Sequence, residues 1–393
     1  MGAYDDLPAK DKVEVDSLLA ETQARGGLAP LDLERFWADQ AAASDPFGAD
    51  IAQVPFGAIL TGECVFDELG IAEDYRRLEH DEPWRLELFR AYNDKAEPIV
   101  GRRILNELAG DPARRWPAVR GLHDVFEARN EWHDRSWWLR PSAGTPEELE
   151  ALLDRVDRRD VRSFILPAGW EEAKVRLRAL GVPPPRYRFQ RGPVTFATSI
   201  YGAENLIYLI ADQPALAERL RDTILRVMLE IADVLDAEAG DAPPRGFHFN
   251  DDNCCLLNAE MYEMFGYPIL KGVFERHAPD PGDRRAQHSD SNMAHLLPVL
   301  ARLDLTWVNF GPALSVAEIR RHMPRAVIHG QLAPFTYSRD RRADMVAEFL
   351  RDFAQARQHR GLVFGTAGSV NNGSRLAGMR LLMAAVQRYG RYG

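Results

Sequence analysis

Apolar and polar positions in the second half of the chain recur in one order: a short apolar run ending in polar residues, then a longer segment with helical spacing. The strand-like runs are GPVTFATS ending near Ser199, GFHFNDD ending at Asp252, AQHSD ending at Asp290, LTWVNFG ending near Gly311, AVIHGQL ending near Leu332 and GLVFGTAGS ending at Ser369. A helical segment follows each. The clearest runs from Asp212 as cap and Pro214 through a stripe of Leu216, Leu220, Ile224, Val227, Ile231 and Leu235, and stops at Gly240. Ser315 with Glu318 forms a capping box that opens another, and a last helix spans about Arg375 to Tyr389. Strands short and apolar enough to be buried on both faces, each followed by a helix, predict an α/β fold with a parallel sheet and crossover helices. Closing such a sheet into a (β/α)8 TIM barrel takes two further strands. SFILP and runs near Val125 and Ile59 are the places to look for them.

The first part of the chain follows another pattern. From Leu31 to about Gly110 it is mostly helical, broken by a Pro- and Gly-rich stretch from Ser44 to Gly62. Trp84, Leu88 and Tyr92 recur at helical spacing in a segment from Pro83 to Leu108. Residues 1–120 are therefore expected to form a helical extension packed on a barrel of residues 121–393. The segment from Asp111 to Arg140 is dense in Trp, Arg and His, but His123, Glu127, Glu131 and His133 match no compact metal-ligand spacing. Thr145, Pro146 and Glu148 mark a helix start, and the helix runs to about Arg159.

In a βα repeat the chemistry collects at the C-terminal ends of the strands. Read that way, Ser199 and Tyr201, Asp251 and Asp252, His288 and Asp290, Asn309, Gln331, and Ser369, Asn371 and Asn372 form one constellation. So many polar side chains ending apolar strands would each need a buried partner if they served packing alone, so a site explains them better. His288 and Asp290 are two apart and face the same way on an extended strand. Such a pair either ligates a metal or moves a proton, the carboxylate setting the tautomer of the imidazole. Of Asp251 and Asp252, which are adjacent, only one can face the site, as acid, base or partner of a cationic group. The other caps the next segment. Ser199, Tyr201, Asn309, Gln331, Ser369, Asn371 and Asn372 are expected to contact substrate. Cys254 and Cys255 lack a C-x-x-C spacing and are expected to be buried structural thiols.

Composition narrows the partners. Lys and Arg number 49 against 59 Asp and Glu, a net charge of −10, which argues against nucleic acid and acidic membrane surfaces. The opening MGAYDDLPAKDK has no signal-peptide pattern, and no apolar run approaches a membrane span, so a cytoplasmic location is expected. Three cysteines make no disulfide framework.

The order GPVTFATSIYG, DD followed by EMYEMFGYPILK, HSDSNMAHLLPVL, NFGP, GQLAP, and a Gly-rich loop before a helix ending in YGRYG resembles the uroporphyrinogen decarboxylase superfamily. The resemblance covers roughly Gln190 to Gly393 and implies a (β/α)8 barrel. That superfamily includes the heme-pathway decarboxylase and zinc-dependent methyltransferases that move a methyl group between a corrinoid and a thiol such as coenzyme M. The decarboxylases' Arg-Gln-Ala-Gly-Arg-Tyr stretch is missing here. The methyltransferases' His-x-Cys zinc motif reads His288-Ser289-Asp290, and Gly365-Thr366-Ala367-Gly368 carries no cysteine. A carboxylate in place of thiolates makes a harder site.

Three readings stand open. The first is methyl transfer, corrinoid-linked or otherwise metal-assisted, with His288 and Asp290 ligating zinc or another divalent metal and a corrinoid, or a corrinoid protein, as partner. The second is a metal-free, cofactor-free decarboxylase of a tetrapyrrole or small carboxylic acid, in which Asp251 or Asp252 stabilises a protonated intermediate. The third is a non-catalytic barrel that binds a corrinoid or tetrapyrrole or docks a partner. A homodimer paired through outer helices is compatible with each.

Overall fold

A computed structural model describes residues 2–392. The chain folds as two compact units, Gly110–Thr306 and Met1–Ala109 with Trp307–Gly393. The N-terminal segment thus shares a unit with the C-terminal strands.

The Gly110–Thr306 unit begins with an antiparallel hairpin, β1 (Arg129–His133) and β2 (Ser136–Arg140), where Trp132 and Trp137 meet edge to face at 5.5 Å. This hairpin was not among the expected strands, the nearest of which was a run near Val125. The nearby residues suggestive of a metal are engaged separately: Glu127 with Arg155 and Arg159, Glu131 with Arg140, and His123 with Asp124. Three parallel strands follow: β3 (Phe189–Arg191), β4 (Phe247–Asn250) and β5 (Arg285–Ser289). On β4, Phe247 and Phe249 are buried, and Phe249 packs against Phe274 of the helix Ala259–His277. The alternating His248 and Asn250 are left on the opposite face.

Two expected strands are helices. GPVTFATS continues β3 only as far as Gly192 and then turns into the helix Pro193–Tyr201, with proline in its first turn. Its β-branched residues suggested a strand, but every residue from Pro193 to Thr198 is buried, and burial overrides so weak a preference. SFILP lies largely in a short helix, Val161–Ile165, capped by Asp160, whose side chain accepts from the Ser163 N–H. Val125 likewise ends a short helix. The helix starting at Thr145 forms as expected, over Pro146–Asp157. The long apolar stripe is the helix Pro214–Ala239, closed by Gly240 in the left-handed region at φ 76°. Its N-cap is Gln213 rather than Asp212.

In the other unit β6 (Trp307–Phe310), β7 (Val327–Leu332) and β8 (Leu362–Thr366) run parallel. The Pro- and Gly-rich stretch extends this array by one rung. Phe56 bridges Phe364 in parallel, with Phe364 N–H donating to Pro55 O at 2.8 Å and Gly57 N–H to Phe364 O at 2.7 Å. This rung lies three residues before Ile59, which is itself exposed. The helix Ala9–Ala24 packs on the helix Arg342–Ala356, and the helix Glu82–Val100 ends at a left-handed Gly101. The Ser315–Glu318 capping box is present. No helix among the described residues is long and apolar enough to cross a membrane.

Candidate functional site

The parallel register of β3, β4 and β5 sets Arg191 beside Asn250 and Asn250 beside His288, one lateral row on one face of three strands. A second row, one pleat below, is Phe189, His248 and Ala286. Beyond the end of β4, Asp251 and Asp252 part company. Asp251 is fully buried, and its Oδ1 accepts from the Thr195 N–H at 2.8 Å, in the first turn of the helix Pro193–Tyr201. Burial pushes its carboxyl up to about 6, against the lowering effect of the Thr195 hydrogen bonds.

Gly192 makes this approach possible. A Cβ there would lie 2.2 Å from Asp251 Cβ and 2.4 Å from Cγ. Gly192→Ala is expected to cost about 1–3 kcal/mol of folding stability as the strand end and the helix are pushed apart, measurable as a lower urea midpoint.

Asp252 is half-exposed and turns to β5. Its Oδ1 accepts from the Asp290 N–H at 2.8 Å, and its backbone carbonyl accepts from the Ser291 hydroxyl, so the loops after β4 and β5 are strapped together. His288 Nε2 lies 3.3 Å from Asp290 Oδ1 and 3.7 Å from Asp252 Oδ1. One donor atom from each of Asp252, His288 and Asp290 falls within 4.8 Å of the others, a spacing that a single cation can span. The donors are oxygen and nitrogen only. Cys254 is buried with its Sγ 3.8 Å from Ser289 Oγ, and burial pushes its thiol up, while Cys255 turns its thiol onto the Asp252 carbonyl at 3.5 Å. Cys254 is the buried thiol that was expected, whereas Cys255 is only partly buried.

Next to this cluster is a cavity of about 560 Å³. Asp252 and Ser199 line it, with Arg191, Asn250, Asn253 and Thr198 completing the polar side and Trp138, Leu139, Pro141 and Phe189 the apolar side. Ser199 therefore reaches the cavity from a helix, not from a strand end. Tyr201, on the same helix, is buried and does not line the cavity. Among the lining residues only Ser199 and Asp252 stood out in the sequence. For Phe189, Arg191 and Asn250 the signal was the period-two alternation along β3 and β4. His248 Nε2 pairs with Asn250 Oδ1 at 2.8 Å, and burial pulls its imidazole down to about 4, so it is neutral at pH 7 and Nε2 donates.

The remaining expected site residues belong to the other unit. Asn309 is buried, and its amide donates to the carbonyls of His329 and Thr366. Gln331 is also buried and donates to the carbonyls of Gly311 and Leu314 at 3.2 and 2.7 Å. In the loop after β8, Ser369 is exposed, the Asn371 carbonyl accepts from Cys64, and the Asn372 side chain bonds Asp67 N–H and Glu73.

No protein-family model matches the chain, and no curated protein matches it. Among solved structures, a methyltransferase from Methanosarcina mazei is similar, with a TM-score of 0.53 at 16% identity. The alignment covers 91% of this chain and 98% of that one. At this identity the likeness shows a shared fold.

Proposed function

We propose that this chain is a metal-assisted methyltransferase on a (β/α)8 barrel, with Asp252, His288 and Asp290 holding zinc or another divalent cation. A corrinoid, free or carried by a protein, is the partner in methyl exchange. The observation that carries the reading is the double membership of Asp252, which belongs both to the three-donor cluster and to the lining of the cavity. The methyltransferase among similar folds, six parallel strands and the extra parallel rung at Phe56 support the barrel and the reaction class. Two carboxylates and an imidazole form a hard donor set, so a bound cation would polarise an oxygen atom bearing the methyl group more readily than it would activate a thiol. Within the chain, the Asp290 N–H fixes the rotamer of Asp252, and the strand places His288 between the two carboxylates.

The decarboxylase reading draws less support. Of its two acids, Asp251 is closed off against Thr195, which leaves Asp252 alone at the cavity.

Protein purified without chelator is expected to carry close to one equivalent of a divalent transition metal, read by plasma emission spectrometry. Demethylation of methylcobalamin, followed in the visible spectrum with methyl acceptors present, should stop with chelator and return with metal. Metal-free protein that still catalyses the exchange would falsify the reading.

A further inference from the structure

We propose that the cavity beside Asp252 selects an aromatic carboxylate, its carboxylate held by Arg191 and its ring lying against Trp138 and Phe189. The proposal rests on the reading above only in taking this cavity as the substrate site.

Arg191 ends β3 and lines the cavity, and among the described residues a single side-chain hydrogen bond, from Nη1 to Ser199 Oγ at 3.1 Å, holds it. Ser199 in turn donates to the Thr195 carbonyl at 2.6 Å, so the hydroxyl that receives the guanidinium is itself fixed to the helix. No carboxylate among the described residues forms an ion pair with Arg191, whereas most arginines of this unit, such as Arg155, Arg186, Arg219 and Arg226, pair with Asp or Glu. A guanidinium anchored through one nitrogen on an exposed arginine that lines a cavity can take the planar, two-oxygen geometry of a carboxylate.

The apolar side points to a ring. Trp138 and Phe189 line the cavity while remaining 61% and 56% exposed, a large aromatic area left uncovered at one place. The β strands then act as a ruler. Arg191, Asn250 and His288 are lateral neighbours on adjacent strands. Neighbouring strands lie about 4.8 Å apart, so the Arg191 and His288 backbones are on the order of 10 Å apart. A benzoate-sized acid held at Arg191 spans most of that distance, toward Asp252, which lines the same cavity.

Binding of benzoate, benzamide and acetate to the full chain by isothermal titration calorimetry separates the two components without any turnover. Benzoate should bind roughly tenfold or more tightly than benzamide, the value of a charge-assisted hydrogen bond, and more tightly than acetate. Arg191→Gln should abolish the preference for the acid over the amide while leaving benzamide binding unchanged. Phe189→Ser should weaken both ring compounds equally. Thermal melts confirm that each variant is folded, and Arg191→Lys, which keeps charge but not the fork, should recover only part of the preference. Equal binding of benzoate and benzamide, no binding of either, or an acid preference that survives in Arg191→Gln overturns the proposal. Since none of these readouts uses metal or methyl transfer, a failed methyltransferase assay leaves the result standing, and a failed titration leaves the metal cluster untouched.

Discussion

Replacing His288 by alanine is expected to lower the affinity for a divalent cation at least a hundredfold and to abolish methyl exchange. The cluster has three donors, and the imidazole is the only nitrogen among them. Without it, two carboxylates remain, and that of Asp252 is already engaged by the Asp290 N–H. Changes to groups that merely orient a ligand cost about 10–100-fold in affinity, so loss of a ligand itself exceeds that range. Metal per chain by plasma emission, and the concentration of competing chelator that strips half of it, provide the measurement. Wild-type metal content and chelator resistance in the variant would remove His288 from the set of ligands.

Glu238→Ala is the second large effect, on stability alone. Glu238 lies in the last turn of the helix Pro214–Ala239 and is 2% exposed. Its carboxylate accepts from Trp170 Nε1 at 2.8 Å, from Lys174 Nζ at 2.6 Å and from Arg162. Burial alone would push the acid up, but these hydrogen bonds outweigh it and hold Glu238 down at about 2. Truncation leaves the Trp170 N–H without its acceptor and Lys174 with the more distant Glu171 at 3.8 Å, at a cost of about 3–5 kcal/mol. The pH dependence has a definite sign. A carboxylate whose folded value lies below its ordinary 4.5 contributes stability above that pH and loses it as pH falls toward 2. Urea unfolding at pH 7 and pH 3 should therefore show the gap between wild type and Glu238→Gln narrowing in acid. A gap that widens there would mean that the pair does not stabilise the fold.

Much of the molecule could be read from the chain by itself. The strands ending near Asp252, His288 and Leu332 and the helix stripe after Pro214 lie where the period of apolar residues puts them, because burial on a sheet face or a helix face leaves that period in the sequence. His288 and Asp290 do come together, at 3.3 Å, although Asp290 lies just past the end of β5. The helix at Pro193–Tyr201 was not legible, since Val194, Thr195, Thr198 and Ile200 favour a strand and only the surrounding packing reverses that preference. Nor could the chain tell which of two adjacent aspartates faces the cavity. Asp251 is drawn inward by the Thr195 N–H through space left by Gly192, a partner 56 residues away in sequence.

Local sequence thus determined many of the periodic elements, the net negative charge and the nearness of His288 to Asp290. Tertiary structure alone decided that Arg191, Asn250 and His288 stand in one row, that Asp252 joins them, and that Trp138 and Phe189 stay uncovered beside an arginine with no acidic partner among the described residues. The reason is physical: a strand's own residues fix which side chains share its face, but the register between strands, set by hydrogen bonds to distant segments, fixes which faces meet.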